Sequence, residues 1–479
     1  MFPCGGGFVF IFSYSTSIIY PYFWGNDSAQ FLTIGKAWYL GNIPYKDMFD
    51  HKGPIIFFID MIGFYIANGS RYGVLFIQIV FMCFTISGIL AISQLVIKNY
   101  IYGIAIVFIT LCSMKYNYVE GNSVEEYCLP FIVWSTYGIV KWFMSDRKRH
   151  KLKWSCLYGI TTGVCLLTRV TNIAPICGGI IIIFIKMFFE KEYKNIILNI
   201  ATFILGFFIV ILPYIVYFYE NGLLYDMIYG TILFNIEYSI KCPSWIKSAK
   251  AHDVIVFLIE YFSYYIIFII SIFKFIRKEY LEGIACIITG IIETYIFTSG
   301  YAYRQYALIC IAQIVLLLNE ITIFITNNKF KIRFVPLLVC MIVLFHASYT
   351  IYMNVFEIQN KYKNYSIHIE REWERLFRMI PKKDLNSFVV YGGNKSKEIY
   401  LLSNTIPCYK YHIIQEWHSS FTEEIKKDIL KTFKYGNAKW ILTEGGTHLI
   451  NTILKDRYSL IEVTDRYKLY RLVNHVNQY

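Results

Sequence analysis

The chemistry on offer lies in one short polar stretch that contains an aspartate, a histidine and a lysine. Gly25 to Pro54 reads GNDSAQFLTIGKAWYLGNIPYKDMFDHKGP and lies between an apolar N-terminal segment and a long series of apolar segments. It is too polar to cross a bilayer and too dense in aromatic, acidic and basic residues to be an idle linker. Asp27 follows the first apolar run, and Asp47, Asp50, His51 and Lys52 precede the next. A positioned carboxylate can take the proton of an attacking hydroxyl, and an ammonium can stabilise charge on a departing phosphate. Base and cation in one loop beside a membrane therefore suit chemistry on a lipid-linked phosphate. Asp27 has a structural alternative, because Asn26, Asp27 and Ser28 are all good helix-capping residues. Lys52 in the same loop, and a second acidic loop, favour the chemical reading.

That second loop is Glu120-Gly121-Asn122-Ser123-Val124-Glu125-Glu126-Tyr127. Glu125 and Glu126 stand where an apolar run begins. Acids there complement a helix dipole, or they mark a site, since acids at a membrane boundary are costly unless solvated or paired. Both readings stay open. Arg169, in Leu167-Thr168-Arg169-Val170, and Arg304, in Tyr303-Arg304-Gln305-Tyr306, end or begin apolar runs. Either can snorkel to lipid headgroups or fork onto a phosphate. Tyr45, Asp50, His51 and Tyr306 complete the set as candidate substrate contacts, although a lone histidine also has a structural use. Glu293, well inside an apolar run, receives no role.

The elements that position these residues follow from composition. The chain has 479 residues, 56% of them hydrophobic and 16% charged, with mean hydropathy +0.45. Apolar runs of about 18–22 residues recur along most of it, which makes it a polytopic membrane protein. The net charge of +13 does not signal nucleic-acid binding, because much of the excess lies in short loops between runs. There it sets topology. The 12 cysteines include no CxxC pair and no metal spacing, and most fall inside apolar runs as small hydrophobes.

Phe8 to Trp24 reads as a retained first span, with no signal-peptide n-region before Lys36. Ile55 to Ala67 is too short to span and reads as re-entrant or interfacial. Spans follow at Tyr72–Ile97, Ile101–Met114, Tyr127–Met144, Trp154–Val170, Ile173–Phe189, Ile196–Phe218, Val254–Phe273, Ile284–Thr298, Tyr306–Ile325 and Val335–Val355. That is about eleven spans in all. The basic loop Ser145 to Lys153 (SDRKRHKLK) belongs inside. The first loop, the Glu120–Glu126 loop, the Arg169 turn, the Arg304 loop and the C-terminal tail then share the outer face. Residues 1–355 form a membrane domain and 356–479 a small α/β domain outside. In that domain Ser387–Tyr391, Cys408–Ile413, Trp440–Thr443 and Leu469–Val473 read as strands. Ser396–Ser403, Thr422–Phe433 and His448–Lys455 read as helices. Tyr391-Gly392-Gly393-Asn394 is a strand-to-helix turn, not a nucleotide-binding fingerprint.

An Asp after the first span, then G-x-x-P-Y-x-D, then a Lys closely followed by Pro, resembles the GT-C superfamily of membrane glycosyltransferases. Within it the stretch is most similar to the protein O-mannosyltransferase and aminoarabinose-transferase branch, and to bacterial relatives often labelled glycosyltransferase family 39. Glu120-Gly-Asn-x-x-Glu-Glu-Tyr resembles the second outer loop of those bacterial members. The resemblance covers roughly Phe8 to Val355, with weaker motifs beyond. It implies a sugar donor carried on polyprenyl phosphate, with inverting transfer on the outer face of a cell membrane. Asp27 would then be the catalytic acid/base residue and Lys52 a phosphate contact, with Arg169 and Arg304 as further candidates. The branch carries Asp-Glu and Lys-Pro-Pro where this chain has Asp27-Ser28 and Lys52-Gly53-Pro54. Glu125 or Glu126 would then replace the missing acid.

The implied partners are membrane lipids, the lipid-linked sugar, and a glycan, lipid or protein acceptor. No cofactor is demanded, and a divalent metal is possible but not indicated. Charges deep in several spans would instead suggest a transporter or flippase. A polymerase or ligase would centre on the later loop Tyr219–His252. A scaffold would tolerate loss of Asp27.

Overall fold

A backbone in lipid must satisfy its own polar groups, so long apolar runs fold as helices. The computed structural model describes residues 2–241, 262–298, 303–327, 334–393, 396–435 and 437–473. The chain opens with helices α1 (Phe2–Phe12), α2 (Asp27–Tyr39), α3 (Pro54–Ile66), α4 (Tyr72–Ile97), α5 (Tyr100–Tyr118), α6 (Val124–Phe143), α7 (Leu152–Leu166), α8 (Ala174–Phe189) and α9 (Tyr193–Glu220). The molecule divides into two compact units, and neither is one continuous block of sequence. The first unit comprises Met1–Ser13, Leu75–Asn221 and Ser239–Lys361. The second comprises Tyr14–Val74, Gly222–Tyr238 and Tyr362–Tyr479. The division expected between residues 355 and 356 falls inside one long helix, Phe334–Tyr365.

The first unit is helical. Among the described residues, six helices are long and apolar enough to cross a membrane. Of the other expected spans, α6 carries Glu125, Glu126 and Lys141, and α7 has only 15 residues. The loop Tyr219–His252, the run Val254–Phe273, the turn Tyr301–Arg304 and the stretch holding Lys329, Lys331 and Arg333 lie wholly or partly outside the described residues. Of that run, Phe262–Ile276 is helical. The core gathers Phe8, Ile86, Ile89, Met114, Ile270 and Val315. Helices α7 and α9 meet backbone to backbone. A Cβ on Gly159 would lie 2.0 Å from the Phe203 carbonyl oxygen, and one on Gly206 would lie 2.1 Å from that of Cys156. Small residues permit this approach, which lipid alone would not drive.

The expected first span over Phe8–Trp24 is corrected. Helix α1 stops at Phe12, and turns follow through Trp24. Ser13, Ser15, Thr16, Ser17 and Pro21 are poor helix formers. Arg71, 4% exposed, holds the non-helical path. Its guanidinium donates to the carbonyls of Ser15, Tyr20, Pro21 and Phe23 at 2.5–2.9 Å and stacks 4.0 Å from the Trp24 ring.

In the second unit α2 packs on α3, the short helix expected after Lys52. The two come close enough that a Cβ on Gly35 would lie 2.4 Å from the Asp60 Cβ. The C-terminal sheet is ordered β1 (Phe388–Gly392), β2 (Trp440–Glu444), β4 (Tyr467–Leu472), β3 (Tyr458–Val463). The β1/β2 pair is parallel, with Val389 opposite Ile441, and the other pairs are antiparallel. Phe388, Val390, Leu442 and Leu469 share a core with Trp373 and Tyr400. The helices Ile399–Leu402, Glu423–Lys434 and Asn451–Arg457 stand where helical periodicity placed them. Asn394 of the expected turn lies outside the described residues.

The strand expected at Cys408–Ile413 is absent, because that segment forms turns. Tyr409, Tyr411, His412 and Ile413 are buried while Cys408 is exposed and Lys410 is half-buried, and the segment bends without pairing to any strand of the sheet. The strand that sequence misses is β3, whose residues are mostly exposed after Tyr458.

Candidate active site

Asp27 is the first residue of α2, after Asn26, which caps without a side-chain bond. The helix N-terminus favours a negative charge there. At the other end of the stretch Gly53 caps α3 and Pro54 occupies its first turn, a position where a missing N–H is harmless. Between them the loop is tied down by its own side chains. Asp47 accepts from the Ile43 N–H at 2.7 Å. Tyr45, fully buried and in the left-handed region at φ 67°, donates its hydroxyl to the Lys52 carbonyl at 2.6 Å. Asn235 donates to the His51 carbonyl at 2.7 Å, and the Phe49 N–H donates to the Lys410 carbonyl at 2.8 Å.

This scaffold lines up Asp50, His51 and Lys52. The Lys52 ammonium, a donor only, lies 3.1 Å from His51 Nε2, so the imidazole accepts there and carries its proton on Nδ1. That Nδ1 lies 3.2 Å from an Asp50 carboxylate oxygen. Asp27 meets a cation from elsewhere in the sequence. Lys397 Nζ lies 3.0 Å from Asp27 Oδ1, with Lys397 5% exposed and Asp27 51% exposed. Burial raises the Asp27 carboxyl, but the Lys397 and Lys52 ammonium groups outweigh it and hold the carboxyl below its ordinary range. Asp50 goes the other way. Burial pushes it up to about 6, despite the opposing pull of Lys52 and Lys397, and the Asp27 charge adds to the rise. Two adjacent carboxyls are thereby set apart, one ionised and open to solvent, the other enclosed and titrating near neutrality. Such separation is the usual mark of divided acid and base roles. Burial also lowers His412 to about 4 and His418 to about 3.

The other candidate residues belong to the first unit. Ser123 caps α6 by accepting the Glu126 N–H at 3.2 Å, and Glu126 reaches back to the Asn122 N–H at 2.8 Å. This reciprocal arrangement is close to a capping box. Glu126 also accepts from Tyr118 at 2.5 Å and Gln78 at 2.9 Å. Glu125 pairs with Arg169 at 3.2 Å, and the guanidinium lies 3.1 Å over the Tyr306 ring. Arg304 lies over Tyr116 at 5.0 Å, and its carbonyl accepts from Asn117 at 2.9 Å. The structure therefore groups Asp27, Tyr45, Asp50, His51 and Lys52 in one unit, and Glu125, Glu126, Arg169, Arg304 and Tyr306 in the other. Sequence reasoning missed Lys397 and Asn235. Lys397 sits in NKSKE, which carries no motif, and only its apolar neighbours Ile399 to Leu402 hint at burial. Among the described residues no three His, Cys, Asp or Glu side chains are grouped to hold a metal ion.

A helical unit and a second unit joining an acidic loop helix to a small mixed sheet make up a fold that the chain shares with solved membrane glycosyltransferases. The chain is a membrane protein. The comparisons with particular proteins are structural, since no protein-family model and no curated protein matches the chain. It is similar to ArnT from Cupriavidus metallidurans bound to undecaprenyl phosphate, with TM-score 0.57 and 10% identity, covering 99% of this chain and 98% of that one. The apo state of ArnT matches with TM-score 0.55 and 9% identity, covering 98% of this chain and 97% of that one. The archaeal oligosaccharyltransferase AglB from Archaeoglobus fulgidus, solved with an inhibitory peptide and a dolichol-phosphate, matches with TM-score 0.53 and 10% identity. That match covers 92% of this chain and 69% of AglB.

Proposed function

We propose that the protein is an inverting glycosyltransferase that moves a sugar from polyprenyl phosphate to a hydroxyl acceptor on the outer face of the membrane. The observation that carries this reading is the Asp27 carboxylate at a helix start, 3.0 Å from the Lys397 ammonium and held below its ordinary range by that charge and by Lys52. The fold supports it, because similar structures were solved with undecaprenyl phosphate and dolichol-phosphate. In the step proposed, the acceptor oxygen attacks the anomeric carbon as the carbon–oxygen bond to phosphate breaks. Asp27 takes the hydroxyl proton, and polyprenyl phosphate leaves with the bonding pair. A phosphate leaving group needs charge stabilisation more than a proton, a task for Lys52. Arg169 and Arg304 are proposed as further phosphate contacts, and Tyr45, Asp50, His51 and Tyr306 as contributors to substrate binding. Glu125 or Glu126 is proposed to replace the acid that Ser28 lacks. Attack opposite the phosphate inverts the anomeric centre.

The test is mass spectrometry of polyprenyl-phosphate sugars and envelope glycans in cells carrying native protein or Asp27→Asn at equal membrane abundance. The variant should accumulate one lipid-linked sugar and lose one envelope decoration. Identical profiles for native and variant, when a full deletion changes them, overturn the reading of Asp27 as base and favour a transporter or a scaffold.

A further inference from the structure

The base of the loop is met by a cation from far along the chain. Lys397 follows β1 and precedes the helix Ile399–Leu402, 370 residues from Asp27 in sequence. Its side chain is nearly closed off from water, while half of the Asp27 side chain remains open. An enclosed ammonium is costly unless a carboxylate compensates it, so this geometry persists only with Asp27 ionised and turned toward Lys397. The carboxylate keeps an open side toward which an acceptor hydroxyl can approach.

Among the described residues, the charges acting on Asp27 come chiefly from Lys397 and Lys52. Lys52 and Asp50 act from the loop, Lys52 being 3.1 Å from His51. On α2 itself, Lys36 is bonded to Asn404 at the far end, and on α3 Asp60 packs against Gly35. From the C-terminal stretch, His412 and His418 are buried groups held below the ordinary histidine range, chiefly by burial and in part by the Lys397 charge. Lys397 is therefore the direct partner of Asp27.

We propose that Lys397 is a positioning residue that holds Asp27 as an oriented, ionised base, so that the C-terminal segment is a working part of the site and not merely its cover. The inference rests on the proposed role of Asp27, and its test separates the two. Full-length native protein, Lys397→Met and Lys397→Arg are labelled in detergent with a water-soluble carbodiimide and an amine. The label on the Asp27 peptide is then read by mass spectrometry at mildly acidic pH. The carboxyl oxygen adds to the carbodiimide carbon as the carboxyl proton passes to its nitrogen, and the amine then displaces the urea. The Met variant, with its carboxyl more often protonated, should therefore label about two- to fivefold more than native, the span of a solvent-screened ion pair, and the Arg variant should match native. Equal labelling of native and Met protein overturns the proposal. Where Lys397→Met does not fold, Lys397→Gln takes its place.

In the transfer reaction the Met variant should lose kcat with donor KM unchanged and shift the acid limb of its pH profile upward, with recovery in the Arg variant. A raised donor KM with an unmoved pH profile makes Lys397 a phosphate contact and also overturns the proposal. If native protein transfers no sugar, the function reading fails while the labelling still reports the Lys397–Asp27 coupling.

Discussion

Replacing Asp50 with asparagine isolates the carboxyl of the loop that water does not reach. Its side chain is 2% exposed, and burial lifts it from 3.8 to about 6 although Lys52 and Lys397 pull it down. A rise of about 2 pH units corresponds to about 3 kcal/mol between the protonated and ionised forms. The folded protein thus binds this proton more tightly than the unfolded chain does. Its contribution is fully present below about pH 4, falls as pH rises, and is gone above about pH 6. Asparagine cannot ionise, so its contribution is flat over the same range. Unfolding midpoints of native protein and Asp50→Asn, followed in one detergent from pH 4 to pH 7.5, should therefore diverge. Native protein should lose up to about 3 kcal/mol relative to the variant across that window. A difference that stays constant with pH refutes the burial argument. A native protein that gains on the variant as pH rises refutes it more strongly, because the ionised carboxylate would then be stabilised by His51 and Lys52 beyond the cost of its burial.

Two substitutions test the scaffold beneath the site. Arg71→Met removes a charged donor from four carbonyls and should cost about 4 kcal/mol, at roughly 1 kcal/mol per lost bond. Limited proteolysis should then cut within Tyr14–Trp24 before any other part of the second unit, and a cleavage pattern like that of native protein would refute the anchoring role. Gly35→Ala places a methyl 2.4 Å from the Asp60 Cβ and should destabilise by about 1–3 kcal/mol, as overpacking does. An unchanged unfolding midpoint would show that α2 and α3 can part without penalty.

The long apolar helices were the most legible part of the sequence. The run from Tyr72 to Ile97 matches α4 at both ends, because hydropathy and helix length report the same physical requirement. The start of α6 was legible to within three residues from Glu125 and Glu126, which complement a helix start, whereas its cap Ser123 was not singled out. The end of the first helix was not. Tyr14 to Trp24 carries no charge and so passes for the rest of a span despite Ser15, Thr16, Ser17 and Pro21, and what anchors its turns is Arg71, about fifty residues away. Composition carries no record of such a partner. The same holds for Asp27, whose place was legible as a polar residue after an apolar run, while its partner Lys397 was not. A lysine in NKSKE reads as solvated until a fold encloses it.

The misread segment Cys408–Ile413 explains part of how the site is held. As a strand it would have spent its backbone groups on a sheet neighbour. As turns, it leaves the Lys410 carbonyl to receive the Phe49 N–H, and the Lys410 ammonium pairs with Asp226 at 3.0 Å. Asn235, from the same stretch as Asp226, takes the carbonyl of His51. The loop that orients Asp50, His51 and Lys52 is thus clamped by two segments that follow it by more than 170 residues. Asp27 is met by Lys397 from a third position within the C-terminal stretch. Asp27, Asp50 and Lys52, the proposed base, a buried carboxyl and the proposed phosphate contact, lie close together in the sequence, but their orientation is supplied from elsewhere in the chain. A C-terminal segment that ties the loop backbone at Phe49 and the carboxylate at Asp27 cannot be removed without altering both, so its loss should act on the chemistry as well as on stability.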